Sequence, residues 1–308
     1  MESIYKVYHA LKDNVSKKII GKDTIIDKCI VTLLCNGHLL LEDIPGTAKT
    51  TLAKAIATSI GADFKRVQCT PDLLPSDILG IYYYNQKTGE FILRKGSVFT
   101  NILLADEINR TTPRTQSSLL ECMEEKQVSI DGDTYSLDNP FFVIATQNPI
   151  ESFGTYPLPE AQLDRFFMCL SLGYPNRQAE DLILKEFTNS SLNYPLKEVI
   201  SIQDLLQAQK DIQNISISDD VRKYILDLVS NTRSNKNIQL GVSTRGAIAL
   251  MKASQGVAGI NGRNFVCPED VLYIFKDVIS HRILVLNNTL ETKDAIIKNI
   301  IESTCVPK

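Results

Sequence analysis

The stretch from residue 41 to residue 61, LEDIPGTAKTTLAKAIATSIG, places a lysine and hydroxyl groups between an apolar run and a helical pattern. A strand, a small-residue turn, Lys-Thr and a helix follow one another in phosphate-binding loops, where backbone N–H groups and the helix N-terminus face the anion. In that arrangement Lys49 supplies positive charge and Thr50 offers a hydroxyl to Mg²⁺. The residues predicted to surround the phosphates are Ile44, Pro45, Gly46, Thr47, Ala48, Lys49, Thr50 and Thr51.

The loop departs from the usual GxxxxGK[ST] pattern at two positions. Asp43 and Ala48 stand where the pattern has glycine, which leaves Gly46 as the glycine of the loop. A helical φ would accommodate Ala48, whereas a carboxylate at Asp43 would weaken phosphate binding unless it points away. The stretch also fits an ordinary strand, turn and helix with a surface Lys-Thr pair, so the rest of the chain must decide.

Two acidic residues, Asp106 and Glu107, follow a short apolar run at residues 101–105. The aspartate is suited to hold Mg²⁺ through water, and the glutamate to orient or deprotonate a water molecule that attacks a phosphate. Asn148 ends another apolar run, where its amide is suited to contact the γ-phosphate or the water. Each feature also has a plain structural interpretation, because acidic pairs commonly open loops and Asn-Pro is commonly a turn.

Arg165 and Arg245 are the candidates for stabilising the negative charge that phosphoryl transfer builds up on the γ-phosphate. Arg245 follows Ser243, which is expected to cap a helix, and it is predicted to reach a nucleotide held between two domains. A single arginine is more often a solvated surface residue. The predicted catalytic residues are Glu107, Asn148, Arg165 and Arg245, and the predicted Mg²⁺ ligands are Thr50 and Asp106.

Short apolar runs that alternate with helical patterns must position these residues. Five segments are predicted to be strands of a parallel sheet, at residues 38–41, 64–69, 101–105, 141–146 and 166–172, and the continuous apolar run at 101–105 is typical of a strand buried on both faces. Residues 81–99 and 128–137 are predicted to form β-hairpins. In the first hairpin we expect Tyr83 or its two neighbours to be buried; an exposed aromatic strip that grips a substrate is the alternative.

The strand pattern ends near residue 175, and only helical patterns follow. Helix starts are predicted near Ser201, Ser218 and Ser243 and at Cys267-Pro268. We therefore predict an α/β domain at 1–175 and an all-helical domain at 176–308. His281-Arg282 is expected to be a helix end whose cations complement the helix dipole.

The overall composition is that of an ordinary globular protein. The 308 residues carry a net charge of −3 with a pI near 5.7, which gives no broad basic field for gripping nucleic acid. No apolar run approaches the roughly 20 residues of a membrane helix, and the N-terminus is not signal-like, so a cytoplasmic location is predicted. The seven cysteines are scattered, which predicts reduced thiols rather than disulfides or a zinc site.

Three blocks of the sequence, LEDIPGTAKT, LLADEINRTTPRTQSSLLECMEE and FFVIATQNPIESFGTYPLPEAQLDRF, resemble the MoxR family of AAA+ ATPases, and the resemblance extends over nearly the whole chain. It implies an AAA+ P-loop core with a five-stranded parallel sheet, followed by an all-helical lid domain. The 81–99 hairpin resembles the helix-2 insert, which would face a central pore, and the 128–137 hairpin resembles the pre-sensor-1 hairpin.

The resemblance also implies a role for each candidate residue. Lys49 and Thr50 would belong to the Walker A motif, and Asp106 and Glu107 to the Walker B motif. Asn148 would be sensor 1 and Arg245 sensor 2. Arg165 would be an arginine finger that acts on a neighbouring subunit, with Arg110 and Arg114 as further candidates for that action.

The family further implies ATP and Mg²⁺ as cofactors and a homo-oligomeric ring, expected to be a hexamer, that remodels or matures another protein. A partner bearing a von Willebrand factor A domain is expected on the same ground. A nucleic-acid motor is one alternative, but residues 127–164 contain no Lys or Arg, and the hairpin there holds Asp131 and Asp133. A scaffold that binds ATP and scarcely turns it over is the other, which Asp43 favours and Glu107 opposes.

Overall fold

A five-stranded parallel sheet lies at the centre of the computed structural model, which describes residues 2–44, 46–148, 154–188, 195–286 and 290–307. The chain as far as the last strand of this sheet forms, in order, α1 (Glu2–Ser16), α2 (Asp23–Leu34), β1 (Leu39–Glu42), α3 (Lys49–Ser59), β2 (Phe64–Gln68), α4 (Pro75–Leu79), β3 (Gly80–Asn85), β4 (Glu90–Lys95), β5 (Ile102–Asp106), α5 (Pro113–Glu125), β6 (Gln127–Ile130), β7 (Asp133–Ser136), β8 (Phe142–Gln147), α6 (Glu160–Leu163) and β9 (Met168–Leu170). A 3₁₀ turn at Ile108–Arg110 separates β5 from α5.

The central sheet has the strand order β2-β5-β8-β1-β9, and every neighbouring pair is parallel. These are the five strands predicted from the apolar runs. Alternate residues point to opposite faces, so Leu104 and Ile144 join one apolar cluster while Leu103 and Val143 join the other. The carboxyl ends of β1, β5 and β8 meet at one edge, which brings together the three segments that carry the candidate residues.

Both predicted hairpins form, as the antiparallel pairs β3–β4 and β6–β7. Tyr82 and Leu93 lie opposite each other on the side of the first hairpin that packs on the core. The expected burial of Tyr83 or of both its neighbours is wrong, because Tyr83 is 47% and Tyr84 55% exposed. The hairpin projects from the core, so its outer part has no second layer to cover it.

The C-terminal part of the chain is helical, with α7 (Arg177–Thr188), α8 (Ile202–Ile212), α9 (Asp219–Ser234), β10 (Ile238–Leu240), α10 (Thr244–Ile260), α11 (Pro268–Ile279), β11 (Leu284–Val285) and α12 (Leu290–Ser303). The predicted helix starts are confirmed: Ser201, Ser218 and Ser243 each accept a hydrogen bond from the backbone N–H three residues ahead. The short antiparallel pair β10–β11 is an addition to the expected all-helical domain. Strands of three and two residues are too short to produce a recognisable pattern.

Helix α1 joins the C-terminal helices to the rest of the protein. It packs against α2 and α3 on one side and against α8 and α10 on the other. Ile4 and Leu11 of α1 are fully buried in the same apolar cluster as Leu205 and Ala208 of α8. The core is therefore continuous across the predicted boundary, and the division at residue 175 remains a prediction based on the type of element. In the part of the chain that the structure describes, no helix is long and apolar enough to cross a membrane.

Candidate nucleotide-binding site

A cavity of about 450 Å³ lies at the edge where β1, β5 and β8 end. Its size is that of a site for a small ligand. Its lining comes from the loop before α3 and from the ends of β2, β5 and β8: Asp43, Gly46, Thr47, Ala48, Lys49, Thr50, Thr51, Arg66, Gln68, Asp106, Glu107, Thr146, Gln147 and Asn148. Among the predicted phosphate-binding residues, Ile44 is not part of this lining, and Pro45 lies outside the described residues.

Ala48 takes a left-handed backbone conformation, with a φ of 61°, immediately before α3 begins at Lys49. Ala48 therefore does not have the helical φ that would accommodate an alanine without strain. Gly46 also has a positive φ, of 84°, so the chain turns sharply between β1 and α3 at both positions. A left-handed conformation costs a residue with a Cβ roughly 1–2 kcal/mol, which glycine avoids.

Ala48→Gly is therefore expected to raise the free energy of unfolding by about 0.5–1 kcal/mol, because relief of the left-handed strain exceeds the added freedom of the unfolded chain. Urea denaturation would measure the change. Ala53→Gly, in the helical interior of α3, is the matched control and is expected to destabilise the protein by about 1 kcal/mol or more. Equal destabilisation by both substitutions would contradict the argument.

The Asp43 side chain is buried and held by backbone groups. Its carboxylate accepts hydrogen bonds from the N–H groups of Ile44 at 3.0 Å, Leu172 at 2.8 Å and Gly173 at 3.0 Å. Charge-assisted bonds of this kind are among the stronger ones in proteins. The carboxylate therefore has its charge compensated by the backbone, and it fastens the start of the phosphate loop to the segment that leaves β9.

Lys49 turns its ammonium group back onto the loop. Its Nζ donates to the carbonyl oxygens of Ile44 at 2.8 Å and Asp43 at 3.2 Å, and the Thr47 hydroxyl donates to the Ile44 carbonyl at 3.1 Å. The positive charge thus lies inside the loop. An anion that entered the loop would replace these carbonyl oxygens as its partner.

Both oxygens of Asp106 accept hydrogen bonds. Oδ1 accepts from the Thr146 hydroxyl at 2.7 Å, and Oδ2 accepts from Arg66 Nη2 at 2.7 Å and Nε at 3.2 Å. Oxygen ligands suit Mg²⁺, which commonly keeps several of its waters. Because its oxygens already have partners, Asp106 fits a metal held through water better than one bound directly.

Glu107 also has a left-handed φ, of 59°, and its N–H donates to the Thr146 hydroxyl at 2.8 Å. Its carboxylate accepts from Gln68 Nε2 at 2.8 Å and forms an ion pair with Arg110 at 3.2 Å. Asn148 is buried at the end of β8 and lines the same cavity. The structure therefore brings Glu107 and Asn148 to the loop that carries Lys49.

Arg66 and Gln68 are the polar partners of the two acidic residues, and neither was predicted from the sequence to be part of the site. Gln68 lies opposite Asp106 in the register of β2 and β5. The sequence did contain a signal for these two residues. The run FKRVQ, which holds Arg66 and Gln68, ends beside the run ILLADE in any parallel sheet in which these two strands are neighbours.

Cys69 lies beside the acidic pair but is fully buried. Burial raises the pKa of its thiol to about 12, and the charges of Asp106 and Glu107 act in the same direction. The thiol therefore stays protonated and takes no part as a nucleophile.

Arg165 and Arg245 lie together, but away from this cavity. Both form ion pairs with the carboxylate of Glu124 on α5, and the distance from Arg165 Nη1 to that carboxylate is 3.2 Å. Arg165 also donates a hydrogen bond to the carbonyl of Leu120 at 2.9 Å. They line a second, larger cavity, which also has residues of α2, α5 and α8 in its lining, and of the described residues neither lines the first. The start of α10 places Arg245 beside Arg165 in this conformation, and its reach to a nucleotide held between two domains stays a prediction.

Comparison with known proteins identifies the family. Residues 38–168 match the ATPase family associated with various cellular activities (AAA), and residues 230–300 match the AAA lid domain. The chain is 37% identical to Chaperone MoxR1 of Mycobacterium tuberculosis, over 96% of this chain and 81% of that protein. The chain belongs to the MoxR family of AAA+ ATPases.

Two further proteins are similar to this MoxR-family chain over almost its whole length. The uncharacterized protein YeaC of Bacillus subtilis is 45% identical over 99% of this chain and 97% of its own. A crystal structure of a protein from Cytophaga hutchinsonii, assigned as an ATPase, superposes with a TM-score of 0.90 at 39% identity and covers 100% of this chain and 98% of that one. The predicted AAA+ core and helical C-terminal region are thereby confirmed.

Membership of an ATPase family favours a phosphate-binding loop at residues 41–61 over an ordinary strand, turn and helix. That these residues and the first cavity hold the nucleotide stays a prediction. AAA ATPases bind nucleotide, typically together with a divalent metal.

Proposed function

We propose that this MoxR-family protein binds ATP with Mg²⁺ in the first cavity and hydrolyses it to remodel, activate or mature a protein partner. The observation that carries the proposal is that one cavity collects the residues needed for phosphate binding and for activation of water: Lys49, Thr50, Asp106, Glu107 and Asn148. These residues lie at or after the ends of three neighbouring strands, β1, β5 and β8.

In the proposed reaction, Lys49 and the N-terminus of α3 hold the phosphates. Thr50 and Asp106 would hold Mg²⁺, which neutralises charge on the phosphates when it is bound. Glu107 orients the attacking water and takes up its proton, so its carboxylate must be released from Gln68 or Arg110.

The position of the two arginines supports an active site shared between subunits. Arg165 and Arg245 present their guanidinium groups together at Glu124, on a different cavity from the phosphate loop of the same chain. We therefore assign both arginines to the nucleotide of a neighbouring subunit in a ring, which the family leads us to expect as a hexamer.

The surface of the hairpins supports a protein as the partner. The first hairpin exposes the rings of Tyr83, Tyr84 and Phe91, the last of which is 70% exposed, and such rings suit contacts with apolar side chains. The second hairpin exposes Asp131 and Asp133, which would repel a nucleic-acid backbone. A partner with a von Willebrand factor A domain is proposed on the family resemblance.

ATP hydrolysis measured over a range of protein concentrations, with sedimentation alongside, tests this function. Specific activity is expected to rise as the ring assembles, because each active site then gains the arginines of its neighbour. A folded protein that assembles and binds ATP without turnover would favour the scaffold instead. Failure to bind ATP at any concentration would refute both.

A further inference from the structure

Arg282 is a buried cation at the end of the 3₁₀ turn after α11, and it is 5% exposed. Its Nε donates to Asp164 Oδ1 at 2.8 Å and Nη2 to the Asp164 carbonyl at 3.2 Å. The guanidinium also donates to the carbonyls of Phe166, Phe167 and Val278. The guanidinium therefore donates its hydrogen bonds to residues 164–167 and to α11, the helix that precedes Arg282.

Asp164 connects this cation to the start of α10. Its second oxygen, Oδ2, accepts from the hydroxyl of Ser243 at 2.8 Å, and Ser243 in turn caps α10 by accepting from the N–H of Gly246 at 3.1 Å. The absence of a side chain at Gly246 makes room for the contact, since a Cβ there would lie 2.8 Å from Arg282 Cδ. One carboxylate thus fixes the cap of α10 against the Arg282 guanidinium.

The two arginines of the proposed shared site lie next to Asp164 and two residues after Ser243. Arg165 follows Asp164, and Arg245 lies in the first turn of the helix that Ser243 caps. Both form ion pairs with Glu124, at a more exposed position than the contact between Arg282 and Asp164. The inner links through Asp164 therefore set the relative position of two guanidinium groups that belong to different parts of the fold.

A buried charged pair adds little to the free energy of unfolding by itself. Taking Arg282 out of water lowers its pKa, with the Asp164 carboxylate opposing that shift, and apolar replacements of buried pairs are often equally stable. Such a pair does fix geometry, because the guanidinium is a planar fork whose donors demand defined acceptor positions.

We infer that Arg282 and Asp164 are positioning residues that hold Arg165 and Arg245 in one arrangement, so that both reach the nucleotide of the neighbouring subunit together. This inference rests on the proposed role of those two arginines. A small displacement of a group that acts on the transition state lowers the rate strongly, about 10²-fold for 1 Å.

The test replaces Arg282 by lysine, which keeps the charge and removes the fork. We expect kcat for ATP to fall by about 10–100-fold, while the affinity for a fluorescent ATP analogue and ring assembly stay within about twofold of wild type. The matched control is Arg263→Lys, because Arg263 is a C-terminal arginine that forks onto Asp270 and bonds to Cys267 in its own segment. That control is expected to leave kcat unchanged.

Mixed rings separate positioning from general damage. Arg282→Lys keeps its own Glu107, and Glu107→Gln keeps well-placed arginines, so mixing the two is expected to give more activity than either variant alone. Mixing Arg282→Lys with Arg165→Ala is expected to give no gain, because both lack a working set of arginines. If Arg282→Lys does not fold, Asp164→Asn replaces it, with the same expected pattern.

A kcat within twofold of wild type, or no gain on mixing with Glu107→Gln in verified rings, would overturn the inference. Failure of the proposed function has a different signature. In that case Arg165→Ala turns over ATP as fast as wild type, or wild type itself is inactive. If Arg165→Ala is inactive while Arg282→Lys keeps the wild-type kcat, the positioning role of Arg282 is refuted and the proposed function is not.

Discussion

Arg165→Ala is expected to slow ATP turnover by roughly 10³–10⁵-fold, which is the effect of an arginine finger on phosphoryl transfer. The charge that develops on the γ-phosphate would lose one of the two cations that the neighbouring subunit is proposed to supply. ATP affinity should change little, because an arginine finger stabilises charge that develops in the transition state, whereas Lys49 and Thr50 of the other subunit still hold the bound phosphates. Steady-state hydrolysis and nucleotide titration would measure the two quantities separately.

Arg222→Ala is a suitable control for loss of a cation. Arg222 is exposed on α9, where it pairs with Asp219 one helical turn away, and surface pairs of this kind contribute little. Its turnover should equal that of wild type.

Mixing Arg165→Ala with Glu107→Gln tests whether Arg165 acts between subunits. In a mixed ring some active sites combine Glu107 from an Arg165→Ala subunit with Arg165 from a Glu107→Gln subunit, and those sites are complete. Activity should return in the mixture if the finger acts between subunits. No return, with ring assembly verified by sedimentation, would refute our assignment of Arg165.

The sheet and its hairpins were predictable because their signals are local. A parallel strand covered on both faces is apolar at almost every residue, as β5 and β8 are, and an Asp-Gly turn marks the second hairpin. The positions of Glu107 and Asn148 followed from one topological fact, the meeting of the carboxyl ends of neighbouring parallel strands.

The features that were missed depend on contacts between distant segments. Nothing near Arg282 in the sequence shows that residues 164–167 will enclose it, so this buried cation was interpreted only as a helix end whose charge complements the helix dipole. The contact of Ser243 with Asp164, which joins the start of α10 to the residue before Arg165, was likewise not visible in the sequence. The left-handed φ of Ala48 is imposed by the turn from β1 into α3, against the preference of the residue.

Glu107→Gln is expected to reduce turnover by about 10²–10⁴-fold while ATP remains bound, because an amide cannot take a proton from the attacking water. The substitution preserves the shape of the side chain, and the amide oxygen can still accept the hydrogen bond that Gln68 donates to the carboxylate. What it removes is the negative charge, and with it the ion pair to Arg110.

Single-turnover hydrolysis and ATP titration would measure both parts of this prediction, with Glu121→Gln on the exposed side of α5 as the control that keeps full activity. ATP affinity should hold or rise slightly, since a charge close to the phosphates has been removed. A Glu107→Gln protein that turns over ATP at the wild-type rate would exclude Glu107 as the base. Loss of ATP binding would instead place Glu107 among the groups that hold the nucleotide, and Gln68 would then have to be considered as the group that orients the water.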